Sequence, residues 1–197
     1  MGTTALAAKP LLRSVGWRFE GGVPAEKKYV CLAFPHTSNW DGALLVALCQ
    51  SIGLQMSWMI KSEWTRGPMG VALRPLGAIG IDRKGSHDVV QQMIEQMKTK
   101  DALVLGIPPE GTRKRTDYWR SGFYHIAIGA GVPVVPGYLD YGRKRAGLGE
   151  AIHLTGDVRA DMDVIRAYYA KVAPVGRFPD QVGPIRLRDE DAPHAPR

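Results

Sequence analysis

The sequence predicts a single α/β domain with a mostly parallel central sheet flanked by helices. Two patterns carry that reading. Short apolar runs alternate with segments of helical period across short connections, and the run Ala102-Leu103-Val104-Leu105-Gly106-Ile107 is apolar throughout, as a central strand buried on both faces requires. Length and composition agree: 197 residues, 45% hydrophobic and 23% charged, suffice for one core that needs no disulfide or metal staple.

Taken in order, residues Lys9 to Phe19 mix Lys9, Arg13 and Arg18 with Leu11, Leu12, Val15, Trp17 and Phe19. That mixture fits either a helix packed on its own domain or one lying in a lipid interface. Lys28 to Phe34 is rich in β-formers and stops at Pro35, which predicts a buried strand. A helix follows from Trp40 through Ala43, Leu44, Leu45, Val46, Ala47 and Leu48, its start marked by Ser38 with Asp41 three residues on. Met56 to Ile60 reads as the second strand, Pro68 to Arg74 as a short helix, and Ala78 to Ile81 as the third strand. In the helix His87 to Lys98, capped by Ser86, the stripe Val89, Val90, Met93, Ile94 and Met97 predicts a core-facing side. After the strand Ala102 to Ile107 come a helix around Gly122 to Ile128, the apolar segments Val132 to Gly137 and Tyr138 to Tyr141, an edge strand Ala151 to Thr155, and a helix Asp161 to Val172. From Gly176 onward, Pro, Gly and charges predict a loosely attached tail. The motif-bearing core is thus about 28–175 of one domain over 1–197.

Charge bounds the partners. Lys plus Arg number 26 against 19 acids, a net +7, which favours an anionic substrate, cofactor or membrane surface. Nucleic acid is not expected: only Arg113-Lys114-Arg115 with Tyr118, Trp119 and Arg120 interleaves basic and aromatic residues. Cys31 and Cys49 lie in apolar runs and suit buried thiols in a reducing compartment, and the histidines and cysteines show no metal-ligand spacing. The longest helical apolar stretch, Ala43 to Cys49, falls far short of the ~20 residues that span a bilayer, and no secretory leader is evident. The expectation is a cytoplasmic protein with peripheral contact to the cytoplasmic membrane face.

The stretch with most chemistry is Pro35-His36-Thr37-Ser38-Asn39-Trp40-Asp41. On one continuous helix, residues five apart would diverge by about 140°. With His36 before the cap and Asp41 in the first turn, the carboxylate can instead fold back onto one ring nitrogen, leaving the other as a base. Neither Ser38 nor Thr37 is placed as a nucleophile, so a substrate hydroxyl would attack. Taken alone, the pair also fits a loop histidine beside a carboxylate favoured by the helix dipole.

Further polar residues follow other strands, where open α/β sheets place their ligands: Lys61 after the second, Asp82-Arg83 after the third, and Glu110-Gly111-Thr112-Arg113 after the fourth. Loop arginines can clamp a phosphate by paired hydrogen bonds. These blocks, in this order, resemble those of the glycerol-3-phosphate and 1-acylglycerol-3-phosphate O-acyltransferase family. His36-Thr37-Ser38-Asn39-Trp40-Asp41 matches its His-x-x-x-x-Asp, Gly77-Ala78-Ile79-Gly80-Ile81-Asp82-Arg83 its second block, Pro109-Glu110-Gly111-Thr112-Arg113 its Pro-Glu-Gly-Thr-Arg, and Val132-Pro133-Val134-Val135-Pro136 its apolar fourth block. Lys61-Ser62-Glu63 resembles the Lys-x-Glu before the second block. The likeness covers roughly Val30 to Tyr141. Pro35 stands where relatives often have asparagine, Gly80 where a bulkier residue is usual, and the membrane-embedded N-terminal helices of many relatives have no counterpart.

The resemblance implies a glycerolipid acyltransferase-like fold and transfer of a fatty acyl group from acyl-coenzyme A or acyl carrier protein, as co-substrate, to a hydroxyl of an acceptor such as 1-acylglycerol-3-phosphate. No cofactor or metal is expected. His36 would be the general base, oriented by Asp41. Lys61 and backbone N–H groups near Gly111 would face the oxyanion. Arg83 and Arg113 would hold the acceptor phosphate, with Thr112 beside them, and Glu110 would bind an acceptor hydroxyl or brace the arginines. The same base acting on water would make an acyl thioester hydrolase, and a non-catalytic lipid or membrane-surface binding module is a third reading.

Overall fold

The computed structural model describes residues 10, 12–82 and 86–191. Its centre is a seven-stranded sheet: β1 (Arg18–Glu20), β2 (Lys28–Phe34), β3 (Met56–Lys61), β4 (Ala78–Ile81), β5 (Leu103–Ile107), β6 (Val134–Asp140) and β7 (Arg145–Leu148), in the spatial order β1-β7-β6-β2-β5-β3-β4. The five strands from β6 to β4 run parallel, while β7 is antiparallel to β6 and carries β1 parallel to itself. Helices α1 (Trp40–Ser51), α2 (Gly67–Leu73), α3 (Ser86–Thr99), α4 (Gly122–Ala130) and α5 (Val158–Val172) complete the domain.

Both faces of the sheet are covered, which is why its middle strands are apolar at every position rather than at alternate ones. On one face Val30, Leu32 and Phe34 of β2 pack with Met93 and Met97 of α3, Phe123 and Ile126 of α4, and Met162 and Ile165 of α5. On the other, Tyr29 and Cys31 meet Cys49 of α1, with Met56 and Val135. The expected strand Lys28 to Phe34 and the expected core stripe of α3 are therefore both observed.

Three expectations need correction. Val132 to Gly137 and Tyr138 to Tyr141 form one strand, β6, with a proline inside it. That is tolerated because β6 pairs with β7 only from Gly137 onward, and Pro136 offers its carbonyl to Gly149 N (2.8 Å) at the gap. Ala151 to Thr155 is no edge strand. It makes one antiparallel bridge, Ile152 to Val134, while the neighbour of β6 is β7, whose Arg-Ala-Gly-Leu is too short and mixed to show a period. The segment from Gly176 to Asp191 is not loose: Leu187 is 1% exposed, Trp119 N donates to Arg186 O (2.8 Å), and Arg166 pairs with Glu190 (2.6 Å). A few apolar anchors, Val182, Ile185 and Leu187, suffice to dock it on the main core.

For the N-terminal segment the sequence leaves two readings open. Leu12 and Trp17 are buried against Leu48, Leu139 and Ala146, and Trp17 meets Tyr141 edge-on at 5.1 Å. Of the two readings for Lys9 to Phe19, packing on its own domain describes these residues; Lys9 and Leu11 lie outside the described residues. No described helix is long and apolar enough to cross a membrane.

Candidate active site

The registers Leu32 to Ile107 and Phe34 to Tyr138 bring the C-terminal ends of β5, β2 and β6 to one edge of the sheet. The chain leaves β2 through a cis Phe34-Pro35 peptide, and His36 follows at this edge. Asp41 sits in the first turn of α1, only 2% exposed, with Oδ2 3.3 Å from His36 Nδ1. That is the fold-back contact expected from the spacing. It leaves Nε2 of a side chain that is 19% exposed as the ring nitrogen not engaged by Asp41.

Asp41 is held by more than the imidazole. Oδ2 accepts from the backbone N–H groups of Thr37 and Ser38, both at 2.8 Å, and Oδ1 accepts from Ser38 Oγ and Tyr141 OH, both at 2.6 Å. Burial pushes its carboxyl up, but the donors from His36, Ser38 and Tyr141 outweigh that and hold it well below the usual carboxylate range. Burial and the Asp41 charge in turn push the Tyr141 phenol up to about 12, so it stays a donor. Ser38 Oγ also accepts from Trp40 N (3.2 Å); the helix begins at Trp40 as expected, but its N-cap is Asn39, which makes no side-chain cap bond.

Glu110 is 3% exposed, and its Oε2 accepts from His36 N at 2.7 Å. It therefore braces the His36 loop. Burial, with a smaller contribution from the nearby Asp41 charge, raises its carboxyl to about 7. Gly111 has φ +65°, and a Cβ there would lie 2.7 Å from Arg120 Cγ, so only glycine fits this turn. Its own N–H closes the turn onto Pro108 O (3.1 Å), which removes it as an oxyanion donor.

The remaining expected residues are less tightly held. Thr112 Oγ1 accepts from Lys114 N (3.2 Å) on the exposed loop, and the Arg113 side chain is exposed beside it. Lys61 ends β3, exposed and two strands from β2, roughly 10 Å across the sheet. Arg83 lies outside the described residues. Gly80 has a local reason: a larger residue in β4 would run into the Thr65 hydroxyl. Among the described residues no three His, Cys, Asp or Glu side chains cluster as a metal site.

Sequence reasoning missed Tyr141 and Gln181. Tyr141 was legible only as the end of a strand on the same edge as His36. The Gln181 amide, oriented to donate, reaches the carbonyls of Arg113 and of Thr37 (3.1 Å), joining two motif loops from a segment with no motif of its own.

A family model described as Acyltransferase matches residues 17–140. The chain belongs to the acyltransferase family. Within it, a 1-acyl-sn-glycerol-3-phosphate acyltransferase of Haemophilus influenzae is 27% identical over 134 residues, 61% of this chain and 53% of that protein. The chain thus spans about half the length of the curated relative it matches. The crystal structure of the 1-acyl-sn-glycerophosphate (LPA) acyltransferase PlsC from Thermotoga maritima superposes with a TM-score of 0.60 at 18% identity, covering 86% of this chain and 77% of that one. At that identity the acyltransferase fold is what the two share. The matched region contains His36, Asp41, Lys61, Glu110 and Arg113, and ends one residue short of Tyr141.

Proposed function

We propose that this acyltransferase-family chain moves a fatty acyl group from acyl-coenzyme A or acyl carrier protein to a hydroxyl of a glycerolipid-type acceptor such as 1-acylglycerol-3-phosphate. The observation that carries the reading is the His36 Nδ1 to Asp41 Oδ2 contact of 3.3 Å on a carboxylate fixed by four other donors. Asp41 cannot rotate away or take up the proton, so the imidazole is fixed in tautomer and orientation.

In the reaction, Nε2 takes the proton of the acceptor hydroxyl as its oxygen attacks the thioester carbonyl. Asp41 stabilises the imidazolium that results. The tetrahedral oxyanion collapses, the C–S bond breaks, and the thiolate takes the proton back from Nε2, leaving an ester and a free thiol. No acyl-enzyme forms, and Ser38 is committed to Asp41. Lys61 is the candidate oxyanion cation, and Arg83 and Arg113 the candidate phosphate clamp. Delivery at an anionic membrane surface suits the net +7 charge.

The test is incubation of the purified protein with a panel of acyl-coenzyme A and acyl carrier protein donors against lysolipid and simple alcohol acceptors, with products identified by mass. Free fatty acid as the sole product with every acceptor would replace transfer by thioester hydrolysis.

A further inference from the structure

After α5 the chain crosses the ends of three neighbouring strands in sheet order. At β6, Val175 O accepts from Tyr141 N (2.8 Å) and Val175 N donates to Asp140 Oδ1 (3.4 Å). At β2, Gly176 is buried where an added Cβ would lie 3.0 Å from Thr37 Cγ2, and Phe178 N donates to Thr37 Oγ1 (3.2 Å). At the loop after β5, Gln181 reaches the Arg113 carbonyl and Arg115 Nη1 donates to Val182 O (2.6 Å). Residues 174–182 are therefore a strap that walls the edge carrying His36 and Asp41. It lies outside the region matched by the family model, 17–140, and outside every motif noted in the sequence.

Arg177 stands between the two strap residues anchored on Thr37, the neighbour of His36. It is exposed, and no carboxylate of the described residues lies within 4.0 Å of it; its guanidinium sits 5.9 Å from the ring of Phe178, also exposed. Arg143, Arg145 and Arg166 are each committed to acids, whereas Arg177 keeps its fork of donors for a ligand. Its charge also reaches Tyr141, the donor to Asp41, where it offsets part of the rise.

We infer that Arg177 is a phosphate-binding residue of the acyl-transfer site, carried to the side of His36 by the strap 174–182. The inference rests on the acyl-transfer reading above for its ligands. A guanidinium fork matches phosphate geometry, and two sources are available: the phosphomonoester of the acceptor and the nucleotide phosphates of a coenzyme A donor.

The experiment compares wild type, Arg177→Ala and Arg177→Lys. Calorimetry reads direct binding of 1-hexanoylglycerol 3-phosphate, 1-hexanoylglycerol and coenzyme A, and steady-state kinetics read kcat and KM for the phosphorylated acceptor and the acyl-coenzyme A donor. Arg177→Ala should weaken one phosphate ligand about 10–100-fold, the loss of a charged hydrogen-bond pair, with Arg177→Lys intermediate and 1-hexanoylglycerol unaffected. Weakening confined to 1-hexanoylglycerol 3-phosphate assigns the site to the acceptor, and weakening confined to coenzyme A assigns it to the donor. The KM of that same substrate should rise with kcat little changed. Equal affinity of wild type and Arg177→Ala for both phosphate ligands, or no wild-type binding of either, overturns the inference. Because binding needs no turnover, Arg177-dependent binding without any acyl product would sink the acyl-transfer reading and leave the phosphate site standing. The melting temperature of Arg177→Ala should match wild type, since the side chain is exposed.

Discussion

Glu110→Gln isolates the buried carboxyl beneath His36. The substitution keeps the shape and an oxygen that can accept from His36 N, but removes the titration. In the folded protein this carboxyl is raised from its ordinary 4.5 to about 7, chiefly by burial. A raised carboxyl means the folded state holds a proton that the unfolded chain has already lost between those two values. Its contribution is therefore most favourable below pH 4.5 and is lost as pH climbs through 7. The difference of 2.5 between 7 and 4.5 corresponds to about 3 kcal/mol. Unfolding free energies from urea titrations of both proteins, taken from pH 4 to pH 8.5, give the difference between them at each pH, in which other titrating groups largely cancel. Relative to wild type, Glu110→Gln should gain on the order of 3 kcal/mol across that range, most of it between 4.5 and 7. Parallel profiles would show that Glu110 titrates in the folded protein as it does in the unfolded chain and that the burial argument is wrong.

Other expectations are shorter. His36→Ala should lower transfer by ~10²–10⁴-fold or more with the melting temperature nearly unchanged; a folded variant with full activity would end the proposed mechanism. Tyr141→Phe removes the 2.6 Å bond to Asp41 Oδ1, and a charged hydrogen bond of ~1.5–3 kcal/mol should appear as a fall in kcat at constant donor KM; a pure KM effect would place Tyr141 in binding instead. Arg83→Ala and Arg113→Ala should raise the KM of a phosphorylated acceptor while slow hydrolysis of acyl-coenzyme A survives, and parallel loss of both reactions would assign the arginines to donor or fold. Trp64, Met69, Val71 and Leu76 are exposed between β3 and β4 alongside Arg66 and Arg74, so cosedimentation with anionic vesicles should be strong at low salt and lost at high salt. Equal recovery with neutral vesicles would count against an electrostatic membrane contact.

The elements legible in the sequence are those whose signal is local. Lys28 to Phe34 and the α3 stripe announce themselves because burial on a sheet or helix face imposes a period on neighbouring residues. The His36 to Asp41 contact was legible for the same reason, since four intervening residues and a helix start leave the carboxylate little choice but to return to the ring. Pro109-Glu110-Gly111-Thr112-Arg113 was legible as a motif, but not the role of Glu110: its partner is a backbone N–H 74 residues earlier, in the loop after the adjacent strand.

Tertiary structure alone decided what depends on pairing between distant segments. Tyr141 reaches Asp41 across 100 residues because β6 lies beside β2, and no spacing along the chain encodes that adjacency. β1 and β7 owe their existence to each other and to β6 rather than to any period of their own. The segment after Gly176 has the Pro, Gly and charge content of a free tail, yet it docks, because a buried leucine and hydrogen bonds to the loops after β2 and β5 need only a few residues in the right places. Composition averages over a segment, whereas docking depends on single contacts. The sequence by itself therefore determined the sheet's central strands and the His36–Asp41 contact, and the fold decided what surrounds them.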